Sequence, residues 1–318
     1  MNIFWAILLL VAGLALLWKS ADILVDGAVA LARQLGVSSL VVGLTVVAMG
    51  TSAPELAAGI AAAAKALPDV AVGDVFGSNI ANLALVGGLA ALIRPIKVKK
   101  QTLKYQIPAM LAVVLLLWPV LGNLYLSQTE GIALLVVFAV LIMLTVYMAR
   151  KQANNDAKQR NTQSTIRNTK KNVLLVVIGL AGLALGAEIT MRGGVFIGRQ
   201  AGLTDDVIGL TIIAVGTSLP ELATCVAAAV KGHHDISIGN LVGSNIFNAL
   251  LVTGTVGVIR PSTLLPRLMG FDYWIMLIVS AAVVVAAIAG RKVIGRIAGT
   301  LLLAGYIAYI VYRLAYSA

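Results

Sequence analysis

Two glutamates lie in apolar segments of the chain, each within the same local sequence. Glu55 lies in GLTVVAMGTSAPEL at 43–56 and Glu221 in GLTIIAVGTSLPEL at 209–222, and ten of the fourteen positions are identical. A carboxylate in the middle of a bilayer costs about 2.5–3.5 kcal/mol on insertion scales. Because the sequence accepts this cost twice in the same frame, we expect the two carboxylates to act together.

Each copy of this motif brings further oxygen atoms next to its glutamate. Pro54 and Pro220 lack an N–H and crowd the carbonyl four residues back, which predicts a kinked helix with unpaired carbonyls at 48–50 and 214–216. In lipid, irregular backbone persists only inside protein or beside a polar cavity. A spacing of four places a threonine on the same helix face as each glutamate. The hydroxyl candidates are Thr51 and Ser52 in the first copy and Thr217 and Ser218 in the second.

A second repeated motif, GSNIxN, adds hydroxyl and amide oxygens. Ser78 and Asn82 share one helix face in the first copy, and Ser244 and Asn248 share it in the second. The asparagine between them in each copy points elsewhere, and either an interhelical hydrogen bond or ligation of an ion accounts for it. With no imidazole or thiolate in the set, the ligands favour hard cations: Na⁺, Ca²⁺, Mg²⁺ or Mn²⁺. Two glutamates balance one divalent ion, several Na⁺ ions or protons.

The composition indicates the kind of fold that positions these motifs. Of the 318 residues, 60% are hydrophobic and 12% charged, and the mean hydropathy is +0.97. Soluble domains carry about 25% charged residues, so the chain is predicted to be an all-α polytopic membrane protein. The expected ten transmembrane helices cover approximately 3–32, 37–64, 70–93, 105–121, 128–149, 172–195, 203–230, 237–258, 270–289 and 294–314.

The two motifs belong to one long internal repeat with a constant offset of 166 residues. GDVFGSNIANLALV at 73–86 aligns with GNLVGSNIFNALLV at 239–252, with eight of fourteen identities and no gap. Five spans per half is an odd number, so the second half enters the membrane from the opposite side. Such inverted repeats are typical of transporters. We expect an N-terminal five-helix repeat at 1–149, a basic cytoplasmic linker at 150–171 and an inverted five-helix repeat at 172–318.

The net charge of +11 is explained by topology rather than by nucleic-acid binding. With the N-terminus outside, 18 of the 24 Lys and Arg residues fall on the cytoplasmic side, as the positive-inside rule requires. Both termini are then extracytoplasmic and the central loop is cytoplasmic. Membrane lipid is an expected partner, nucleic acid is not, and no obligate protein partner is evident.

Two further pairs of polar residues align under the same offset. Asp22 and Glu188 are predicted to be carboxylates at helix ends or at the membrane interface, although a vestibule that attracts cations is the alternative. Asp74 and Asn240 are predicted to cap the N-termini of their helices, a position that both residue types favour.

The motifs resemble those of a known family. GTSAPE with GDVFGSNIAN, and GTSLPE with GNLVGSNIFN, look like the α1 and α2 repeats of the calcium/cation antiporter superfamily, most closely its prokaryotic sodium/calcium exchanger branch. The resemblance covers nearly the whole chain. It implies a secondary active antiporter of the prokaryotic inner membrane, with no cofactor, that works by alternating access. Sodium influx would drive calcium efflux while the first and sixth spans slide across the remaining helices.

The same resemblance implies roles for individual residues. Glu55 and Glu221 would be calcium ligands that also serve sodium. The hydroxyls of Thr51, Thr217, Ser52, Ser218, Ser78 and Ser244, and the backbone carbonyls of Ala48 and Ala214, would contribute to sodium or calcium subsites. Asn82 and Asn248 complete the candidate metal ligands.

Departures from the family pattern favour sodium as the coupling ion. Some members carry Asp where this chain has Asn248, so the site holds two carboxylates, which argues against a potassium-dependent exchanger. The Thr-Ser pair of each motif differs from the Gly-Asn pattern of the proton/calcium branch. An antiporter of protons and divalent cations, or a passive cation channel, remains the alternative. An enzyme is not expected, because the sequence offers no nucleophile–base pair or catalytic metal set.

Overall fold

The computed structural model of the protein describes residues 1–160 and 169–316. Within them, eight continuous helices are long and apolar enough to cross a membrane, and two bent helix pairs bring the spans to ten. The predicted all-helical membrane fold is therefore confirmed. The first repeat consists of α1 Ile3–Leu35, α2 Ser39–Thr51, α3 Ala53–Ala64, α4 Pro68–Ile93, α5 Thr102–Leu121 and α6 Gln128–Arg160.

The second repeat has the same order of helices. Residue by residue, each helix lies near an offset of 166 from its counterpart in the first repeat. The helices are α7 Thr169–Gln200, α8 Thr211–Thr217, α9 Leu219–Val230, α10 His234–Ile259, α11 Leu268–Ala289 and α12 Arg296–Tyr316. A helical turn at Asp205–Ile208 precedes α8. The predicted linker 150–171 is helical up to Arg160 and again from Thr169, and its middle lies outside the described residues.

The helix kinks predicted from the prolines are confirmed. Helices α2 and α3 meet at Ser52 with a bend of 43°, and α8 and α9 meet at Ser218 with a bend of 53°. The predicted unpaired carbonyl at Ala48 is wrong, because the N–H of Ser52 donates to it at 3.0 Å. The last turn of α2 thus closes before the proline, and the break falls at Ser52, after the predicted positions 48–50.

Three pairs of π-helical segments recur in the two repeats. Each inserts a wide turn into a membrane-spanning helix, and such turns are frequent at functional sites. One pair lies one α-helical turn before the kinks, and another contains or begins at the second asparagine of each GSNIxN motif. The pairs are Gly43–Val47 with Gly209–Ile213, Ala81–Val86 with Asn248–Val252, and Thr102–Gln106 with Leu268–Asp272.

The last helix of each repeat packs against a central helix of the other repeat. Helix α6 packs on α10, and α12 packs on α4, so each repeat places its last helix against the other repeat. Helices α4 and α10 are the centre of the bundle: 72% of each span is buried, against 17% of α6. Asn79 donates to the backbone carbonyl of Asn245, its repeat mate, at 3.3 Å, which confirms the predicted interhelical hydrogen bond for Asn79. The Asn245 side chain instead donates to the carbonyl of Leu241 in its own helix, so the same prediction is wrong for Asn245.

Helices α1 and α7 form a separate, closely packed pair. Small residues allow their backbones to approach, as is common between helices in membranes. A Cβ on Gly179 would lie 2.8 Å from the Cα of Leu24, and one on Gly186 would lie 3.1 Å from the carbonyl oxygen of Gly13.

Short strands join the two repeats at each end of the bundle. Strands β1 Ile96–Lys97, β2 Tyr125–Leu126, β3 Ser262–Thr263 and β4 Val293–Ile294 form two antiparallel pairs, β1 with β4 and β2 with β3. We call the end with β1 and β4 the basic face, since residues 94–104 and 291–296 lie there. The end with β2 and β3 is the opposite face.

Candidate cation site between the two repeats

The two glutamates lie beside the two helix breaks, and both are fully buried. Ser52 of the first repeat donates to Oε1 of Glu221 in the second repeat at 2.8 Å. Ser244 Oγ lies 3.4 Å from the same oxygen. The fold therefore brings the two GTSxPE motifs together, as the repeat predicted, and one hydrogen bond crosses directly between them.

Glu55 is in a different environment from Glu221. In the described part of the chain, neither carboxylate oxygen of Glu55 has a hydrogen-bond partner, and Oε2 of Glu221 has none either. Buried polar groups are nearly always hydrogen-bonded, and a buried charge without a partner is very costly. Three carboxylate oxygens that face the interior without a partner are placed to bind a cation.

Other predicted ligands of the same motifs also carry buried oxygen atoms without hydrogen-bond partners. The hydroxyls of Ser78 and Ser218 and the side-chain amides of Asn82 and Asn248 are buried and make no hydrogen bond to the residues described. Together with the carboxylates they offer seven oxygen atoms. Calcium takes six to eight oxygen ligands and tolerates irregular geometry. No cluster of three or more His, Cys, Asp or Glu side chains suited to a metal occurs in residues 1–160 and 169–316.

The remaining predicted ligands are engaged with one another. Thr51 Oγ1 lies 3.3 Å from the carbonyl oxygen of Ala48 and 3.1 Å from Oδ1 of Asn240. Thr217 Oγ1 donates to the carbonyl of Ala214 at 3.1 Å. The two threonines differ in exposure, because Thr51 is 1% exposed whereas Thr217 is partly open.

Asp74 and Asn240 are not the helix caps that the sequence predicted. Helix α4 begins at Pro68 and α10 at His234, so both residues lie inside their helices. The Asn240 side chain joins Thr51 to Cys225, since its amide nitrogen lies 3.4 Å from the cysteine sulfur. A spacing of four residues from Ser78 and from Ser244 was the signal that places them beside the site.

A cavity of about 500 Å³ lies between α3, α7 and the end of α8. Its walls include Pro54, Ala57, Glu188 and Thr217. The cavity residues of α3 follow the break at Ser52 on the side of the opposite face, and those of α7 extend from Leu180 to Met191, so the cavity reaches from the middle of the bundle toward that face. Glu188 forms an ion pair with Arg192, and 49% of its side chain is exposed.

On the basic face, an ion-pair cluster joins α1 to the loop after α9. Lys231 Nζ lies 2.6 Å from Asp22 Oδ1 and 2.7 Å from Asp26 Oδ1. Partial burial disfavours the charged form of Lys231, but hydrogen bonds and charges from Asp22 and Asp26 outweigh it and raise the pKa of its ammonium group. Asp22 is thus an ion-pair partner inside α1, so the helix-end position that the sequence allowed for it is wrong.

Comparison with known proteins identifies the family. The sodium/calcium exchanger protein family matches residues 5–147 and 171–315, which together cover most of both repeats. The chain belongs to the sodium/calcium exchanger family. The resemblance predicted from the motifs is thereby confirmed, and the protein is an ion-transporting membrane antiporter rather than an enzyme.

Relatives of this exchanger align over almost their whole length. The chain is 38% identical to the putative antiporter CaxA of Alkalimonas amylolytica, over 96% of this chain and 97% of the relative. It is 34% identical to the sodium/calcium exchanger MaX1 of Methanosarcina acetivorans, over 96% and 97% of the two chains. The solved structure of the sodium-calcium exchanger NCX_Mj soaked with Na⁺ and Sr²⁺ superposes with a TM-score of 0.83 at 31% identity, covering 98% and 99%.

Proposed function

We propose that this exchanger moves sodium and calcium in opposite directions across a prokaryotic inner membrane, with Glu55 and Glu221 as ligands that both ions share. The observation that carries the proposal is the pair of buried carboxylates, three of whose oxygens have no hydrogen-bond partner among the described residues. Two negative charges balance one Ca²⁺, and the hydroxyl and amide oxygens nearby suit hard cations. Sodium competes for the same oxygens without needing a separate pathway.

Alternating access is the mechanism that the inverted repeat supports. Equivalent helices of the two repeats reach the site from opposite faces, so one rearrangement can exchange their roles. The cavity lies in the half toward the opposite face, while Lys231, Asp22 and Asp26 join α1 to the rest of the bundle at the basic face. These features support an arrangement that is open toward the opposite face and closed toward the basic face.

The ion pairs also indicate how the two arrangements differ. Under the repeat, Lys65 is the mate of Lys231, and Glu188 is the mate of Asp22. Lys65 is exposed and forms no ion pair with the described residues, whereas Glu188 pairs with Arg192. Movement of α1 and α7 would break the Lys231 cluster and bring Glu188 toward Lys65. We assign the basic face to the cytoplasm from its excess of Lys and Arg.

Flux into sodium-loaded proteoliposomes tests the function. Dilution into sodium-free buffer should drive Ca²⁺ uptake against a calcium gradient, and a sodium ionophore should abolish it. A matched set of vesicles carries a pH gradient and no sodium gradient. Uptake that follows the pH gradient and ignores sodium would contradict the proposal and establish proton coupling. Leak of Ca²⁺ down its gradient without any counter-ion would establish a channel instead.

A further inference from the structure

A second cavity lies in the basic-face half of the bundle, and we call it the side groove. Its volume is about 240 Å³, and residues of α2, α5, α6 and α10 line it. It extends from Gln101 and Ala149 near the basic face to Met49 and Phe138 in the interior. Its lining includes Met148, which is 57% exposed, so the groove opens sideways to the membrane. No candidate cation ligand is among these lining residues.

The inner wall of the side groove is apolar. Most of the lining residues are Leu, Ile, Val, Met, Phe, Ala or Gly. Thr45 and Thr145 also line it, but their hydroxyls donate to the carbonyls of Val41 at 2.7 Å and Leu141 at 2.8 Å within their own helices. The groove is smaller than the about 300–1,000 Å³ of sites for drug-sized molecules. A narrow apolar groove that is open to lipid suits a single acyl chain.

The mouth of the side groove is positively charged. Lys100 and Lys104 are sequence neighbours of lining residues of α5, and Arg150 and Lys151 directly follow the last lining residue of α6. All four side chains are exposed, and none forms an ion pair with a residue that the structure describes. Basic pockets between membrane-spanning helices bind the headgroups of anionic lipids. The mouth therefore complements a phosphate group, and the wall behind it complements a hydrocarbon chain.

The equivalent space in the second repeat is bridged by side chains. Asp272 occupies in α11 the position that Gln106 occupies in α5. Its carboxylate accepts from Arg313 of α12 at 2.7 and 2.8 Å and from Tyr309 at 3.1 Å. Gln106 instead lines the side groove, and its Oε1 is buried without a hydrogen-bond partner in the described chain. The fold thus ties α11 to α12 near the opposite face but leaves α5 and α6 apart near the basic face.

We propose that the side groove binds one anionic phospholipid, with an acyl chain between α2, α5 and α6 and the phosphate group among the four cations of the mouth. The amide of Gln106 lies between the charged mouth and the apolar wall, where it can bond to the glycerol and ester groups of the lipid. The chain packs on Leu44 and Thr45, which belong to the π-helical segment of α2. The bound lipid thus contacts the helix that carries Thr51 without touching the transported ion.

Native mass spectrometry of the purified full-length protein in mild detergent tests the site. The probes are phosphatidylglycerol and phosphatidylcholine with identical acyl chains, and glycerophosphoglycerol, which has the anionic headgroup and no chains. One phosphatidylglycerol should bind at least about tenfold more tightly than phosphatidylcholine, and glycerophosphoglycerol should not bind. Equal binding of the two lipids would mean that only unspecific boundary lipid is retained. Binding of glycerophosphoglycerol as tightly as of phosphatidylglycerol would establish a phosphate site without a role for the chain. Either result overturns the proposal.

Two kinds of variant separate the headgroup from the acyl chain. Lys100→Gln combined with Lys104→Gln should weaken phosphatidylglycerol binding about 10- to 30-fold and leave phosphatidylcholine binding within about twofold. Ala109→Phe places a ring in the groove that Ala109 lines and should abolish the tight phosphatidylglycerol site. The lysine variant changes only exposed side chains, so it tests the proposal even if Ala109→Phe does not fold.

Each variant has a matched control outside the side groove. Arg291→Gln combined with Lys292→Gln removes the same charge from the basic face, in the loop between α11 and α12, which contribute no lining residue. Val285→Phe adds the same ring to the membrane-facing side of α11, where Val285 is 62% exposed. Both controls should bind phosphatidylglycerol within about twofold of the wild type. If the controls lose as much binding as the groove variants, or if a folded Ala109→Phe keeps the tight site, the side groove is not the binding site.

Discussion

Thr51 and Thr217 occupy equivalent positions in nearly identical motifs, yet their surroundings differ. Thr51 is buried and lies within hydrogen-bond distance of Asn240, whereas Thr217 lines the cavity and does not bond to Asp74. The contrast extends to the neighbouring residue. Ser52 donates to Glu221, while Ser218 has no partner among the described residues. The same sequence thus adopts two environments, one closed near the basic face and one open near the opposite face.

Close packing of α10 on α2 accounts for the closed side. A Cβ on Gly243 would lie 2.6 Å from both the Cβ of Ala48 and the carbonyl oxygen of Leu44. In the second repeat, Ala214 replaces Ala48 and is partly exposed. Since the local sequences are nearly the same, packing rather than residue type makes the difference. A symmetric rearrangement would exchange the two environments, which is what alternating access requires.

The largest expected effect is the loss of Ca²⁺ transport when either glutamate is substituted. It tests whether transport needs both glutamates equally, although their surroundings differ. Glu55→Gln and Glu221→Gln should each lower Ca²⁺ transport about 100-fold or more, because loss of one partner of a buried charge pair costs about 3–5 kcal/mol. Glu130→Gln serves as the control, since this glutamate accepts from Ser127 near the opposite face. It should transport within about twofold of the wild type. A Glu55 variant with normal flux would show that only Glu221 binds the ion.

Substitution of Ser52 and of Ser218 compares the stability of the closed and open environments in the absence of ions. In calcium-free and sodium-free buffer, Ser52→Ala should destabilise the fold by about 1.5–3 kcal/mol, because it removes a hydrogen bond to a buried carboxylate. Ser218→Ala should change the free energy of unfolding by less than about 0.5 kcal/mol. Denaturant titration in mild detergent measures both. Equal losses for the two variants would mean that the asymmetry is absent from the ion-free protein.

The smallest effect concerns the ion pairs that hold the basic face closed. Lys231→Ala should increase the population open toward that face about two- to fivefold, since partly exposed ion pairs contribute up to about 1 kcal/mol. Labelling of Ala223→Cys by an impermeant maleimide added at the basic face reports this population. Ala223 is the repeat mate of Ala57, which lines the cavity.

Lys65→Ala is the matched control for this labelling experiment. Lys65 forms no ion pair within the described chain, so its removal should not raise the labelling of Ala223→Cys. An equal rise in labelling for both lysine variants would indicate a general loosening of the bundle. If labelling does not rise in Lys231→Ala, the ion-pair cluster does not hold the basic face closed.

The sequence predicted the features that depend on residue type and spacing. The ten spans, the kinks at Pro54 and Pro220 and the contact between the two GTSxPE motifs, through Ser52 and Glu221, all follow from hydropathy, proline chemistry and the repeat. The N-cap at Asp74 was wrong because Pro68 starts the helix six residues earlier. The π-helical turns have no residue signature, since they depend on which carbonyl each N–H reaches.

The sequence also did not predict which of the two motifs lines the cavity. Two nearly identical motifs contain no information on which of them is buried and which lines a cavity. That choice depends on small packing differences summed over whole helices, such as the fit of α10 on α2. The bond between Thr51 and Asn240 was missed for the same reason, because it exists in only one of the two repeats.

Equilibrium binding of Ca²⁺ in the presence of rising Na⁺ tests most directly whether the two ions share Glu55 and Glu221. The account predicts that Na⁺ displaces all bound Ca²⁺ from the wild-type protein, and that choline at equal ionic strength displaces none. Glu55→Gln and Glu221→Gln should each lose high-affinity Ca²⁺ binding. Calcium that stays bound at saturating Na⁺, or that binds both variants as tightly as the wild type, would contradict the shared site.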